Sequence, residues 1–348
     1  MNFAADQRAP SAAPPGGLAP AEVPMFVMIG FDDNPEVEPM TWIVDHVAAL
    51  RNPAGRGQPA TFDGAPVRFA FYSNSKYFIG VPDLVELHVR AQSEGHELAN
   101  HTHNHFHGGK FTAAEWQAEM TVCQWGFASC GIDPATITGF RTPFLEYNDA
   151  MFAAAQELGF IYDSSIEEGY ELDQDGTKFL WPYTLDEGSP GNRTTTAPDD
   201  LDRVTSHPGL WEIPLHVFIV PPDDRAADYG IEPGLADRMA AFIQTNGGWE
   251  WPKEARKISG LDWNVMAMAG RQGPEFLAIL KHTLDLRLAG NRAPLMIGAH
   301  TAMFPQDLPD RREAIEAFVA YALEHPEVRI VTPMQLIEWL REPMPLAP

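Results

Sequence analysis

The sequence predicts an α/β protein in which about seven parallel strands form a single irregular (β/α) barrel with long loop insertions. Apolar segments of strand length alternate with segments of helix length at both ends of the chain, as in parallel βα units. Polar residues suited to catalysis follow several of these predicted strands. Because a βα-barrel carries its active site at the carboxyl ends of its strands, this placement favours a barrel over a doubly wound sheet.

The first half of the chain has the clearest alternation. An apolar strand over residues 25–31 ends at the turn-forming sequence Asp-Asp-Asn-Pro. Pro82 fits the first turn of a predicted helix, where its missing N–H is not needed. The other elements predicted here are helices over 41–50, 82–94, 112–129 and 150–158 and strands over 67–72, 96–100 and 139–141.

Two irregular stretches precede the last regular part of the chain. Residues 164–206 are rich in Gly, Pro and Asp, residues 222–261 contain only helical patches, and both are predicted to be loop insertions. Residues 1–22, rich in Ala and Pro, are predicted to be a disordered segment before one domain over residues 23–342. The remaining predicted elements are strands over 210–220, 295–299 and 328–331 and helices over 275–288, 311–324 and 334–341.

Composition limits the partners. The formal net charge is −24, from 48 acidic and 24 basic residues. Such an excess of negative charge argues against nucleic acid and anionic membrane surfaces as partners. No apolar run is long enough for a transmembrane helix, and the N-terminus lacks the apolar core of a secretory signal.

The two cysteines, Cys123 and Cys130, lie near the end of one predicted helix. A straight helix would place them about 10.5 Å apart along its axis, too far for a disulfide. A bridge would require the helix to end before Cys130, and Gly131 and Pro134 do place a stop nearby. We favour free, buried thiols.

Two acidic residues and a histidine-rich tract are the strongest candidates for chemistry. Asp32 and Asp33 end the first strand, where one carboxylate could bind a metal and the other act as a base; a simple turn is the alternative. Histidines four residues apart share one helix face, and two imidazoles with a carboxylate leave an open position for water, as in catalytic zinc sites. Spacing does not choose between the two such pairs, and a solvated loop is the alternative. The tract contains His101, His103, His105 and His107.

Three further residues are weaker candidates alone. Arg141 ends a short strand and could pair with a buried carboxylate. Asp163 and His300 each follow an apolar segment, and a single histidine at a strand end is more often structural. Their shared location at strand ends, and their residue types, fit metal-assisted hydrolysis when they are taken together.

Together these residues resemble the polysaccharide deacetylase (NodB-homology) family of carbohydrate esterases. That family has a strand ending in Asp-Asp, a His-Ser/Thr-x-x-His motif, Arg-x-Pro-aromatic, an Asp-bearing segment and a late strand ending in His. Within the family, the sequence is most similar to arthropod chitin deacetylases and their bacterial relatives. The corresponding segments here are 31–33, 101–105, 141–144, the segment around Asp163 and 297–300, and further similarity extends over 181–185, 211–214, 291–294 and 331–339.

The resemblance implies a role for each site residue. Asp33, His101 and His105 would hold one divalent metal, with Zn²⁺ favoured and Co²⁺ as the other candidate. The remaining roles implied or suggested are Asp32 as general base, Arg141 as its partner, His300 as general acid oriented by Asp163, the backbone N–H of Phe144 as an oxyanion donor and Trp211 as a substrate contact.

Three features depart from the family pattern. Phe144 replaces a tyrosine that is common at this place in many bacterial members. The Asp-x-x-Asp-Trp form of the fourth motif is absent, which affects the assignment of Asp163. Gly298 occupies a place where a leucine often lines the acetyl pocket. These departures put the partner of the general acid and the shape of the pocket in question.

The resemblance implies a metal-dependent hydrolase that removes N-acetyl groups from N-acetylglucosamine units of chitin or chito-oligosaccharides. The same chemistry on acetylxylan or peptidoglycan is one alternative. An inactive carbohydrate-binding protein of the same fold and a metal-buffering protein built on the histidine tract are others. We expect a carbohydrate substrate, no obligate protein partner, and a secreted or periplasmic location.

Overall fold

A computed structural model of the chain describes residues 6–190 and 204–347. Its central feature is a curled, nine-stranded sheet in which, among the described strands, β7 alone runs antiparallel to its neighbour. The strands are β1 (Met25–Asp33), β2 (Ala70–Ser73), β3 (Glu97–Asn100), β4 (Gly139–Phe140), β5 (Tyr162–Asp163), β6 (Glu167–Glu168), β7 (Tyr183–Leu185), β8 (His207–Glu212), β9 (Leu215–His216), β10 (Phe218–Ile219), β11 (Lys257–Ile258), β12 (Leu295–His300) and β13 (Val328–Ile330).

The sheet order places the two ends of the chain beside each other. Hydrogen-bonded neighbours follow the order β12-β1-β2-β3-β4-β5-β8-β7, and β13 pairs with the start of β1. Two small sheets, β6 with β9 and β10 with β11, lie outside this path. The predicted α/β fold, an irregular barrel of about seven parallel strands, is confirmed as a curled, mostly parallel sheet, although this sheet has nine strands.

Helices cover the outer face of the sheet. They are α1 (Val37–Val47), α2 (Ser75–Phe78), α3 (Pro82–Ser93), α4 (Ala113–Ser129), α5 (Asp149–Glu157), α6 (Leu235–Gly247), α7 (Pro274–Ala289), α8 (Pro309–Glu324) and α9 (Pro333–Arg341). Prolines occupy the first turn of α3, α7, α8 and α9, where no intrahelical N–H is required. None of the described helices is long and apolar enough to cross a membrane.

Strand β1 shows how the core is divided. Alternate side chains of a strand point to opposite faces. Val27 and Ile29 pack with the helices in one buried cluster, whereas Phe26 and Met28 belong to a second cluster inside the curl. Because both faces of β1 are buried, its sequence begins with an unbroken run of apolar residues.

Residues 6–22 differ from the predicted disordered segment. Two short 3₁₀ turns lie within this stretch, and its backbone is bonded to the rest of the molecule. Ser11 O accepts a hydrogen bond from the Trp181 N–H at 2.9 Å, and Arg8 N donates to the Thr184 hydroxyl at 2.8 Å. An Ala/Pro-rich composition suggested disorder because it offers little apolar surface, but main-chain hydrogen bonds fix this segment. Residues 1–5 lie outside the described part of the chain.

Some predicted element bounds differ from the structure in detail. Helix α1 begins at Val37, before the predicted start at residue 41, because Pro39 is accommodated in its first turn. The second predicted insertion contains the 13-residue helix α6, and residues 191–203 of the first lie outside the described ranges. Cys123 is a free and buried thiol, as we favoured, whereas Cys130 is free but only partly buried.

Candidate active site

A cavity of about 490 Å³ opens at the carboxyl ends of β1, β3 and β12. This is the end of the sheet at which the sequence placed the chemistry. The residues lining the cavity are Asp32, Asp33, His101, His105, Thr142, Phe144, Leu145, Leu261, Trp263, Asn264, Met268 and His300.

Asp33, His101 and His105 form a group able to hold a metal ion. One donor atom from each lies within 4.8 Å of the others. Asp33 Oδ1 is 3.2 Å from His105 Nε2 and 3.6 Å from His101 Nε2. Two imidazole nitrogens and one carboxylate oxygen are a donor set that suits zinc and related divalent metals.

The hydrogen bonds around the group prepare these atoms for a metal. His101 Nδ1 lies 2.8 Å from the carbonyl oxygen of Arg141, so the Nδ1 proton is donated there and Nε2 remains available. Burial lowers the pKa of His105 to about 4 and holds the pKa of His101 well below its ordinary value. Both imidazoles are therefore neutral near pH 7, as metal binding requires. Asp33 Oδ1 is buried and has no hydrogen-bond partner among the described residues.

The loops of the site hold an unusual backbone conformation. Among the described residues, nine non-glycine residues have a positive φ. Six of the nine lie in the segments that form this site: Asp33, Asn34, Thr102, His105, Phe144 and Leu145. Such conformations cost free energy and persist only where the surroundings enforce them. Asn34 shows one such constraint, since its buried amide donates to Phe31 O at 2.9 Å and Ser73 Oγ at 2.9 Å.

Asp32 and Arg141 form a buried ion pair beside the metal-binding group. Arg141 Nη1 donates to Asp32 Oδ1 at 2.7 Å, and its Nε donates to Ser164 O at 2.9 Å. The guanidinium also lies over the Tyr72 ring, 4.1 Å from its centroid. Burial raises the pKa of Asp32 above its ordinary value, although the charge of Arg141 opposes this. One carboxylate oxygen is thus fixed by Arg141, as the sequence suggested.

His300 lies beside Asp32 on the neighbouring strand but is oriented by Asp262. Asp32 and His300 are register partners of β1 and β12. His300 Nδ1 lies 2.7 Å from Asp262 Oδ1, and the His300 backbone N–H donates to Asp262 Oδ2 at 2.8 Å. Burial alone would lower the pKa of His300, but the carboxylates of Asp262, Asp32 and Asp33 outweigh burial and raise it to about 9.

The expectation that Asp163 orients His300 is therefore wrong. Asp163 is fully buried at the end of β5 and accepts hydrogen bonds from the Ser165 hydroxyl and backbone N–H, at 2.7 and 2.8 Å. It also shares a hydrogen bond with Glu212. Burial raises the pKa of Asp163 to about 6. Its role is to fix the segment whose Ser164 holds Arg141.

The sequence contains a signal that could have identified Asp262. Asp262 and Trp263 are the final Asp-Trp of the Asp-x-x-Asp-Trp motif, with Ser259 in the first position instead of Asp. The segment reaches β12 through a hydrogen bond from Gly298 N to Gly260 O at 2.9 Å. Trp263 lines the cavity with nearly half of its surface exposed.

Trp211 does not contact the cavity, which corrects its expected role. It is 2% exposed in the inner core cluster, and its Nε1 donates to Asp6 Oδ2 at 3.0 Å. In the pairing of β8 with β5, Trp211 is the register partner of Tyr162. Trp211 is structural.

Phe144 does line the cavity, and an imidazole covers its ring. The ring of His107 stacks on Phe144 at a centroid distance of 3.9 Å, and His107 Nδ1 lies 2.9 Å from Glu146 Oε1. His103 instead bonds to Ser75 Oγ at 2.7 Å. The structure therefore directs His101 and His105 toward Asp33 and gives His103 and His107 other partners.

Leu261 occupies the space beside Gly298. A Cβ atom built on Gly298 would lie 2.3 Å from Leu261 Cδ2. The leucine that the sequence lacked at residue 298 is thus supplied by the neighbouring segment, and it lines the cavity. A leucine from a different position in the chain therefore forms this part of the apolar cavity wall.

Residues 24–162 match the family model described as polysaccharide deacetylase. The chain is 24% identical to chitin deacetylase 1 of Bombyx mori, over 94% of this chain and 53% of that protein. It therefore spans about half the length of this curated relative.

A solved structure supports the fold over nearly the whole chain. It comes from Mycobacterium smegmatis and is assigned to the polysaccharide deacetylases. The TM-score is 0.54 at 16% identity, with 96% of this chain and 95% of that chain covered. At this identity the similarity concerns the fold alone.

Proposed function

We propose that this protein removes the N-acetyl group from N-acetylglucosamine units of chitin or chito-oligosaccharides and releases acetate. One observation carries the proposal: Asp32 and His300 face one cavity together with Asp33, His101 and His105. A carboxylate base, a protonated imidazole and a three-residue metal-binding group are the parts that metal-assisted amide hydrolysis needs.

The metal would be held by Asp33, His101 and His105. The donor atoms fit it, because both imidazoles are neutral and Asp33 Oδ1 lacks another hydrogen-bond partner among the described residues. A bound divalent metal supplies a Lewis acid that polarises a carbonyl and makes water a better nucleophile. We favour zinc, with cobalt as the other candidate.

Asp32 acts as the general base. Its carboxylate takes a proton from the attacking water while the water oxygen forms a bond to the acetamide carbon. Burial raises the pKa of Asp32, which makes it a better proton acceptor, and Arg141 keeps it ionised and oriented. The backbone N–H of Phe144 is our candidate donor to the oxyanion that forms on the carbonyl oxygen.

His300 acts as the general acid. It gives its proton to the amide nitrogen as the C–N bond breaks, leaving acetate and a free amine on the sugar. Asp262 keeps this imidazole protonated, and its pKa of about 9 leaves it charged at neutral pH. An amine anion is a very poor leaving group, so a fully protonated acid favours an amide substrate over an ester such as acetylxylan.

The substrate is proposed on two further grounds. The similar protein of Bombyx mori is named as a chitin deacetylase. The net charge of −24 disfavours an anionic polymer such as peptidoglycan relative to neutral chitin. A secreted or periplasmic location, where such polymers are found, is part of the proposal.

Acetate release tests the proposal. The protein is treated with a chelator, then supplied with Zn²⁺ or Co²⁺, and assayed on chito-oligosaccharides and acetylxylan in parallel. We expect metal-restored acetate release from the chito-oligosaccharide. Release only from acetylxylan would keep the site and change the substrate, and no release from either, with metal bound, would contradict the deacetylase proposal.

A further inference from the structure

Two of the three candidate metal ligands, His101 and His105, are the ends of a loop that contains no helix or strand. The direction of both imidazoles therefore depends on what fixes the backbone between them. Thr102 and His105 have positive φ values of 69° and 57°, which residues other than glycine rarely adopt. Because such conformations cost free energy, the surroundings of the loop must hold it in place.

Glu119, on helix α4, holds the middle of this loop. Its Oε2 accepts hydrogen bonds from two successive backbone N–H groups, that of His103 at 3.1 Å and that of Asn104 at 2.7 Å. Its Oε1 accepts a third hydrogen bond, from Asn104 Nδ2 at 2.8 Å. Successive N–H groups form a concave site for an anion, and hydrogen bonds to an ionised acceptor are about twice as strong as neutral ones. One carboxylate thus fixes the two residues directly before His105.

Helix α4 gives this carboxylate a rigid support. Trp116 and Met120, on either side of Glu119 in the helix, are fully buried in the core. The Met120 carbonyl oxygen also accepts a hydrogen bond at 2.9 Å from the side-chain amide of Asn100, the last residue of the strand that leads into the loop. The position of Glu119 relative to the loop is therefore set by the packing of α4 against the sheet.

A second side chain restrains the start of the same loop. Asn74 Nδ2 donates to the carbonyl oxygens of His101 and Thr102. This amide fixes carbonyl groups at the first ligand, whereas Glu119 fixes N–H groups nearer the second. The two restraints therefore do not replace each other. Without the carboxylate, the two N–H groups would bond to water, which does not fix their direction.

We propose that Glu119 is a positioning residue of the metal site. It holds the loop in the conformation in which both imidazoles converge on Asp33. Glu119 does not line the catalytic cavity, so it acts on a bound metal only through the backbone that it fixes. The inference rests on the metal-binding group of the proposed function, because it assigns the residue that keeps this group assembled.

The test uses four variants of the full chain. Glu119→Ala removes all three hydrogen bonds, and Asn104→Asp sets a second carboxylate against the first, which repels it. In Glu119→Gln/Asn104→Asp the amide at residue 119 donates to the carboxylate at residue 104, and its oxygen remains for the backbone N–H groups. Glu157→Ala is the matched control, because Glu157 is an exposed glutamate of α5 that bonds to Gln117 of α4 and not to the loop.

Zn²⁺ alone is titrated by calorimetry into metal-free proteins that urea denaturation shows to be folded. We expect Glu119→Ala to weaken zinc binding roughly 10–100-fold, the loss typical of removing a group that orients a metal ligand. Asn104→Asp should also weaken it, and Glu119→Gln/Asn104→Asp should recover part of the affinity, while Glu157→Ala should match the wild type. A residue that only stabilised the fold would not give this recovery, and the pair remains decisive even if Glu119→Ala does not fold.

Zinc binding separates this inference from the proposed function. Equal affinities of Glu119→Ala and Glu157→Ala would overturn the inference, and so would a double variant that binds zinc no better than Asn104→Asp. A wild type that binds no zinc would overturn the metal-binding group and the inference together. A wild type whose zinc affinity depends on Glu119 but that releases no acetate would overturn the proposed chemistry and keep the inference.

Discussion

The carboxylate of Asp262 contacts His300 twice, at the imidazole Nδ1 over 2.7 Å and at the backbone N–H over 2.8 Å. The first contact stabilises the imidazolium form, and the second fixes the strand end that carries it. Because Asp262 is fully buried, its charge is poorly screened by solvent. Asp262 is therefore the residue that most directly controls the protonation of the candidate acid.

Replacing Asp262 with Asn should move the alkaline limb of the pH profile to lower pH. His300 must be protonated to act as an acid, so activity is present below its pKa and is lost as the pH rises through it. In the wild type that pKa is about 9. Removing the Asp262 charge takes away the largest influence that raises it, leaving burial to lower it. The measurement is kcat/KM for acetate release between pH 6 and about pH 10.

Asp163→Asn is the matched control for that shift. Asp163 is also a buried aspartate near the site, but it is bonded to Ser165 and Glu212. We expect its alkaline limb to stay at the wild-type position even if activity falls. A limb that moved equally in both variants would contradict the assignment of Asp262 as the partner of His300.

The histidine tract offers a direct test of the metal-binding group. His105→Ala should weaken zinc binding by more than the roughly 10–100-fold typical of losing a group that only orients a ligand. His103→Ala, a neighbour whose imidazole bonds to Ser75, should bind zinc like the wild type. The measurements are zinc stoichiometry and affinity by calorimetry, together with the rise in Tm on adding zinc. Loss of binding in both variants would favour a metal-buffering tract.

Elements with a clear hydrophobic period were predictable from the sequence. Strand β1 and helices α3, α4 and α7 lie within one or two residues of their predicted bounds, because each has a buried face or a cap that marks its ends. Thr112 begins α4 with a capping box to Glu115, which is readable from the sequence. The predicted ends of β1 and β3 also placed Asp32, Asp33 and the histidine tract close together.

The partners of these residues were harder to predict. Asp262 lies in an irregular segment with no hydrophobic period, and this segment is joined to β12 by a backbone hydrogen bond from Gly298 N to Gly260 O. Chain order pointed instead to Asp163, whose neighbours in the fold a sequence does not reveal. Trp211 was misassigned because its inward direction depends on the pairing of β8 with β5.

Asp32→Asn should lower kcat by roughly 10²–10⁴-fold, the contribution typical of a general base. Asn cannot accept the proton, but it retains the shape of Asp32, so the metal-binding group should remain intact. Asp33→Asn should instead lose bound metal along with activity. The measurements are kcat on chito-oligosaccharides and metal content after dialysis. Near-full activity of Asp32→Asn would falsify the base assignment.

Gly298→Ala tests whether Leu261 forms the apolar wall of the catalytic cavity. The new methyl would lie 2.3 Å from Leu261 Cδ2, so the leucine must move, at a cost of about 1–3 kcal/mol for overpacking. We expect kcat/KM to fall while zinc binding is kept. The double variant Gly298→Ala/Leu261→Ala should recover part of both activity and stability, because it removes the clash. No recovery would place the effect of Gly298→Ala elsewhere.

Asp6→Ala should show that the N-terminal segment stabilises the fold. Asp6 accepts hydrogen bonds from Trp211 Nε1 at 3.0 Å and from Arg341 Nη2 at 2.6 Å, so it joins the start of the chain to β8 and α9. Removing it should lower the free energy of unfolding by about 1–2 kcal/mol, measured by urea denaturation at pH 7.

Burial opposes ionisation of Asp6, but the bonds from Arg341 and Trp211 outweigh it and lower its pKa. Its contribution is therefore present above the unfolded carboxyl pKa and is lost as the pH falls through the lower folded one, so the difference between variant and wild type should shrink in acid. Asp173→Ala, at an exposed surface ion pair, should be neutral at both pH values; an equal loss in both variants would mean that the Asp6 contacts contribute nothing specific.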